Sequence, residues 1–263
     1  MKKTALALCA ALASGAASAD TILGFDASLG AWQPAYSGTV GVDGFDVDEF
    51  NLAEDNITFI QAALEHPVPL VPNVMVAHSK IETNGATTLD QSVTFDDETF
   101  AATSDITADI TLSHTDATLY YEILDNWVNL DLGLTARQYD GEFSATGQYT
   151  PSEVCIPEDF DPCTPVEQSE MVELSGVLPM AYAQARFDLP FTGWSIIAQG
   201  NGTGYKGDSH TDLTAKVRWD FLPVADFAVE AGYRMMSLDV SELDDFQSDL
   251  EIKGPYLGLN LHL

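Results

Sequence analysis

Between Thr118 and Arg137 the chain reads TLYYEILDNWVNLDLGLTAR, and apolar and polar side chains alternate on both sides of a break. Ala117, Leu119, Tyr121 and Ile123 interleave with Thr118, Tyr120, Glu122 and Leu124. After Asp125-Asn126, the positions Val128, Leu130, Leu132, Leu134 and Ala136 interleave with Asn129, Asp131, Gly133, Thr135 and Arg137. Successive side chains of a strand point to opposite faces. A period of two therefore predicts a β-hairpin with one apolar and one polar face, turning at Asp125-Asn126.

The same device recurs along the chain. Ile22–Trp32 sets Leu23, Phe25, Ala27, Leu29 and Ala31 against Gly24, Asp26, Ser28 and Gly30. Ile57–His66 and Val74–Ile81 follow, the latter with mixed faces, Met75, Ala77, Ser79 and Ile81 against Val74, Val76, His78 and Lys80. Three prolines, Pro67, Pro69 and Pro72, forbid a ladder between these two strands and require a compact connection. A fourth strand opens with Ile106, Ala108, Ile110 and Leu112 on its apolar face. The apolar parity has flipped by Ala117, which predicts one inserted residue, a β-bulge, near His114-Thr115-Asp116. The hairpin supplies the rest of that strand and a fifth running towards Phe143. Later strands carry Ala181–Phe187, Trp194–Gly204, Leu213–Phe221, Phe227–Tyr233 and Leu257–Leu263.

The count is ten, even, as a single-chain bacterial barrel requires. Alternate connections differ in length: 67–72, 125–126, 190–193 and 222–225 are short, whereas 37–55, 84–105, 146–173 and 241–247 are longer, with 206–209 the exception. Short turns at one end and long loops at the other predict an all-β fold, a transmembrane antiparallel β-barrel of about ten strands, with both termini periplasmic. Ser92–Phe95 and Thr99–Ala101 are expected to extend above the membrane. Trp194, Trp219, Phe221 and Phe227 fall on the apolar parity beside short turns, where an aromatic girdle belongs. Trp127 sits beside a turn on the opposite parity, and the pattern does not explain it.

Composition narrows this further. Met1-Lys2-Lys3, the apolar run Ala5–Leu12 and Ala17-Ser18-Ala19 have the form of a secretory signal peptide, placing it at 1–19 and the barrel at 20–263. Cys9 follows Leu8, where a lipoprotein signal needs a small residue, so no lipid anchor is expected. The net charge of −31 argues against nucleic-acid binding. More than half of the 41 acidic residues lie in 37–55, 84–105, 146–173 and 239–251, which contain no Lys or Arg. These segments predict long acidic extracellular loops, partnered by outer-membrane lipid and lipopolysaccharide and by divalent cations.

Three stretches carry a resemblance: Glu65–Asn73; Leu119–Trp127 together with Leu130–Leu134; and Gly254–Leu259. In these the chain resembles an uncharacterised family of small outer-membrane β-barrel proteins of Gram-negative bacteria. The resemblance implies location and fold and carries no activity with it. Its last stretch is similar to the signal read by the barrel-insertion machinery on a C-terminal strand, although the chain ends in Leu263 and not in an aromatic residue.

The polar parity holds the candidate chemistry. Asp26, Lys80, Glu122, Asp131, Arg137, Arg186, Asp188, Asp212, Lys216, Arg218, Asp220, Glu230 and Arg234 fall on it, as does Glu65. Unpaired charges inside a narrow lumen are costly, so these predict a network of mutual ion pairs that closes the barrel. The alternative is a narrow charge-selective channel for small solutes. Ser and His occur as adjacent pairs (His78-Ser79, Ser113-His114, Ser209-His210), which point to opposite faces, and His210 shares a face with Asp212 but with no evident nucleophile. On this ground the chain reads as not an enzyme. The histidines lack metal spacing, and Asp43, Asp46 and Asp48 lack the glycine and closing glutamate of a calcium loop, so no cofactor or metal is expected. Cys155 and Cys163, in one proline-rich segment of an exported chain, predict a disulfide. The barrel is expected to be a monomer.

Overall fold

The computed structural model describes residues 23–40, 45–68, 70–89, 93–95, 98–100, 104–149, 166–205, 208–222, 227–243 and 246–263. The expected signal peptide, Cys155 and Cys163 lie outside the described residues. The strands are β1 (Gly24–Trp32), β2 (Ala35–Val40), β3 (Phe45–Asp46), β4 (Ile57–Glu65), β5 (Asn73–Lys80), β6 (Glu82–Thr88), β7 (Val93–Phe95), β8 (Glu98–Phe100), β9 (Asp105–Leu124), β10 (Val128–Tyr149), β11 (Val166–Leu189), β12 (Trp194–Tyr205), β13 (Asp208–Leu222), β14 (Phe227–Leu243) and β15 (Phe246–His262).

Ten antiparallel walls close on themselves, because β15 pairs with β14 on one side and with β1 on the other, from Asp26 opposite His262 to Trp32 opposite Tyr256. Closure leaves the membrane-level ladder without an edge. The first wall is β1 continued by β2 after a break at Gln33-Pro34, where proline has no N–H to give. The third is β5 continued by β6, both on β9. A short 3-10 helix, Val47–Phe50, follows β3, and β7 with β8 form a hairpin outside the barrel sheet.

The exterior of the lower half is apolar. Leu29, Ile60, Leu119, Leu132, Leu134, Ile196, Leu257 and Leu259 are all exposed on it. A strand of nine to eleven tilted residues spans a bilayer, and this apolar face is what such a span presents to lipid. Trp194 and Trp219 stack at 5.8 Å near the short-turn end, and Phe221 leans on Trp219 at 6.0 Å. Trp127 gains an explanation: it stands in the turn after β9 and meets Phe187 edge-on at 5.3 Å.

The parity flip in β9 has a different cause from the bulge expected at His114-Thr115-Asp116. The β9–β10 register runs unshifted from Glu122 opposite Asp131 to Ile106 opposite Gly147, and the one irregularity lies beside the hairpin turn, between Leu130 and Asp131. Even-numbered side chains of β9 face inward throughout. Thr118, Asp116 and His114 are buried, and so are Leu112, Ile110 and Ile106, which the pattern had placed outward. The environment inverts and the strand does not. Where the wall leaves lipid, Asp109, Thr107 and Asp105 face water, and the apolar side chains fill the interior. There Trp32, Phe50, Ile57, Ile81, Leu112, Phe143, Met236, Leu250 and Ile252 form one cluster. Burying such side chains contributes about 1.5–3 kcal/mol each.

Much of what reads as acidic loop is strand. β10 and β11 pair from Val128 opposite Phe187 to Tyr149 opposite Val166, so Glu167, Glu170 and Glu173 stand on a ladder. The segments 84–105 and 241–247 are likewise largely occupied by β6–β8 and by the ends of β14 and β15.

Candidate functional site

Period-two alternation on every wall sends one set of polar side chains into the lumen, where they form layers. At the short-turn end a cavity of about 520 Å³ is lined by Glu65, Glu122, Asp131, Tyr120, Tyr182 and Arg186, among others. Arg186 donates to Asp188 at 2.7 Å, and Ser195 donates to the same carboxylate oxygen at 2.6 Å. Gln184 donates to Asp131 at 2.9 Å, and the Tyr120 hydroxyl to Glu65 at 3.0 Å. Glu122 lines the mouth of this cavity, and Asp220 lies half-buried at the same end. The floor is aromatic. Gly133 stands opposite Tyr120 on one neighbour and Tyr182 on the other, and the two rings meet at 5.9 Å across it.

Deeper, on the walls β13 to β15 and β1, lies a cluster of two cations and two anions. Glu230 is fully buried and accepts from Lys216 at 3.0 Å, from Arg218 at 2.7 Å and from the Tyr256 hydroxyl. Arg218 also reaches Asp26 at 3.3 Å, and Asp26 accepts from Asn260 at 2.8 Å. The paired charges sum to zero, which is what makes the burial tolerable.

Above it sits a second neutral set, Arg137 and Arg234 with Asp116 and Asp212. Arg137 donates twice to Asp116, at 2.8 and 2.7 Å, and once to Asp212 at 2.7 Å. Arg234 forks onto Asp212 at 2.9 and 2.7 Å, donates to Ser79 at 3.0 Å, and lies 4.8 Å from the Trp32 ring centre. Bidentate geometry of this kind gives the strongest neutral-sum pairing available to arginine. His210 Nδ1 lies 2.7 Å from the Ser237 carbonyl, which can only accept and so assigns the proton to that nitrogen. His210 Nε2 then faces Arg137 at 2.9 Å and the Tyr139 hydroxyl at 2.5 Å. The apolar cluster containing Trp32 lies above this layer, against Arg234.

Most of the expected residues thus fall in three successive layers: Glu122, Asp131, Arg186, Asp188 and Asp220 at the short-turn mouth; Asp26, Lys216, Arg218 and Glu230 next; Arg137, Asp212 and Arg234 furthest from it. Lys80 is the correction. It stands on the outer surface, 61% exposed, and pairs with Glu82 at 2.7 Å. On β5 it is Met75 and Ser79 that are buried, while Val76 faces out, so the inward parity is the odd one. Asp116, His114, Tyr139 and Tyr256 were not among the expected network, and His210 was placed on the face of Asp212 without its contacts to Arg137 and Tyr139. Asp116 and His114 share the even parity of Thr118, Tyr120 and Glu122, a signal hidden by the inferred bulge.

No family model matches the sequence, and none of the curated proteins matches it. Among solved structures, the fold is similar to that of the outer membrane protease OmpT from Escherichia coli, with a TM-score of 0.51 and 13% identity over 95% of this chain and 100% of that one. It is more distantly similar to Ail, the attachment invasion locus protein of Yersinia pestis (TM-score 0.31, 14% identity, 92% of this chain and 100% of that one). A Pseudomonas aeruginosa FadL homologue gives a TM-score of 0.30 at 8% identity, over 91% of this chain and 89% of that one. The chain has the fold of an outer-membrane β-barrel. This overturns the reading of the chain as not an enzyme, since the fold it shares carries a protease in OmpT. The parity argument considered neighbours in one strand only, whereas the barrel brings His210 against Tyr139 from across the lumen.

Proposed function

We propose that the chain is an integral outer-membrane barrel, sealed across its axis, that acts through its two ends and not by passing solute. The single observation that carries this reading is the Arg137–Asp116–Asp212–Arg234 cluster capped by the Trp32 apolar layer. An ion travelling the axis would have to separate charges that already hold one another at 2.7 Å, then cross a dry apolar plug. Small barrels fill their interiors with side chains, whereas aqueous porins use sixteen strands or more. In this reading the signal peptide at 1–19 is removed, both termini face the periplasm, and Gly254–Leu259 serves the barrel-insertion machinery. The protein is a monomer in lipopolysaccharide-bearing membrane, and divalent cations gather at its acidic upper end.

The test is a planar-bilayer recording of the refolded protein. No steady conductance is expected from the native chain, against the competing reading of a narrow charge-selective channel. A stable open pore that admits uncharged sugars would refute the proposal.

A further inference from the structure

β11 is the longest strand, and its two sides are treated differently. It pairs with β10 over its whole length, from Phe187 to Val166. With β12 it pairs only from Leu189 to Ala181, and β12 itself ends three residues later, at Tyr205 opposite Asp208 in the β12–β13 hairpin. Among the described residues Val166–Met180 has no ladder partner on that side. This leaves an edge of about 50 Å at roughly 3.3 Å per residue, on which alternate residues direct their main-chain polar groups away from β10 with no ladder partner among the described residues.

Exposed edges of this length are normally shortened, bulged or studded with lysine, because they template strand addition. Here the β10–β11 register has no shift, proline enters only at Pro179, and the charges are all acidic. Glu167 and Glu173 stand on the outer face of β11. Glu142 lies directly opposite Glu173 on β10, and Asp140 lies two pairs further down on the same face, opposite Ser175. No Lys or Arg occurs between Arg137 and Arg186. Met171 and Val177, 51% and 64% exposed, stand on the same outer face and offer apolar contacts between the acids.

From this geometry we infer that Val166–Met180 is a docking edge for an extended polypeptide bearing Lys or Arg at alternate positions, which adds to the sheet as a further strand. Main-chain hydrogen bonds supply the affinity, and the acidic outer face selects a cationic side-chain pattern. A second copy of this chain is disfavoured, because pairing two such edges sets Glu167 and Glu173 against the same acids. The inference requires the upper walls to stand in water but is independent of whether the lumen conducts.

The probe is a labelled synthetic peptide alternating lysine with threonine and valine, titrated into the full, detergent-folded protein at low ionic strength. Saturable binding is expected, with slowed amide exchange across residues 166–180. Methylating alternate peptide amides should weaken binding at least tenfold, and so should Glu167→Lys combined with Glu173→Lys, with the heat-dependent gel shift of the folded barrel unchanged. Equal affinity for the methylated peptide would reduce the contact to charge alone and overturn strand addition. Absence of saturable binding, or crosslinking of the edge to a second copy in its place, would overturn it as well. These variants lie outside the lumen, so the bilayer recording is unaffected and the two readings fail separately.

Discussion

Arg218 and Arg186 both project from inner-facing positions and both hold a carboxylate at 2.7 Å, yet removing them should have very different costs. Arg218 is 7% exposed and its partner Glu230 is fully buried; Arg186 and Asp188 are 27% and 34% exposed at the mouth. Replacing Arg218 with Met leaves Glu230 to Lys216 and Tyr256 and strips Asp26 of its guanidinium. A buried pair broken on one side costs about 3–5 kcal/mol, because the surviving charge keeps its desolvation penalty. Replacing Arg186 with Met exposes Asp188 to water that already reaches it, and an exposed pair contributes less than about 1 kcal/mol. The difference amounts to roughly two orders of magnitude or more in the folding equilibrium. Reversible urea unfolding in lipid vesicles, followed by tryptophan fluorescence, would measure both variants against the native chain. Equal costs at the two sites would refute the layered account, and negligible costs at both would mean that water fills the whole lumen.

Inversion of the upper wall is tested by Ile110→Asp against Thr107→Asp. The first places an unpaired carboxylate in the apolar cluster and should cost several kcal/mol, about 3–5 by the same reasoning; the second should stay within about 0.5 kcal/mol, and similar values for both would restore the bulge. For Cys155 and Cys163, the protein isolated from the cell envelope should be lighter by two hydrogens unreduced than reduced, and free thiols there would exclude the disulfide.

The ten walls, the short turns and the inward set from Glu122 to Arg234 were legible because period two states which residues share a face. It does not state which face is inside. For Leu119 and Leu132 the answer depends on lipid lying outside, and for Ile106 and Ile110 on water lying there, which no local pattern records. β5 failed for a related reason: Met75, Val76 and Ala77 give both faces apolar members, so Lys80 could not be assigned to a side. The partners within the lumen were illegible because they are set by register around the barrel. His210 meets Tyr139, and Arg234 meets Ser79, at sequence separations of 71 and 155.

The change of face along each wall acts as a waterline. Raising the barrel by one residue, a vertical step of about 2.5 Å for a strand tilted near 40°, would lift leucines such as Leu134 and Leu213 towards water. Lowering it would draw Thr115, Gln138, Ser237 and Asp239 towards hydrocarbon on three walls together. Because the walls are hydrogen-bonded into one cylinder, no strand can shift alone to relieve the strain. The barrel's depth is therefore fixed, and in a bilayer of another thickness it is the lipid that must stretch or thin around it.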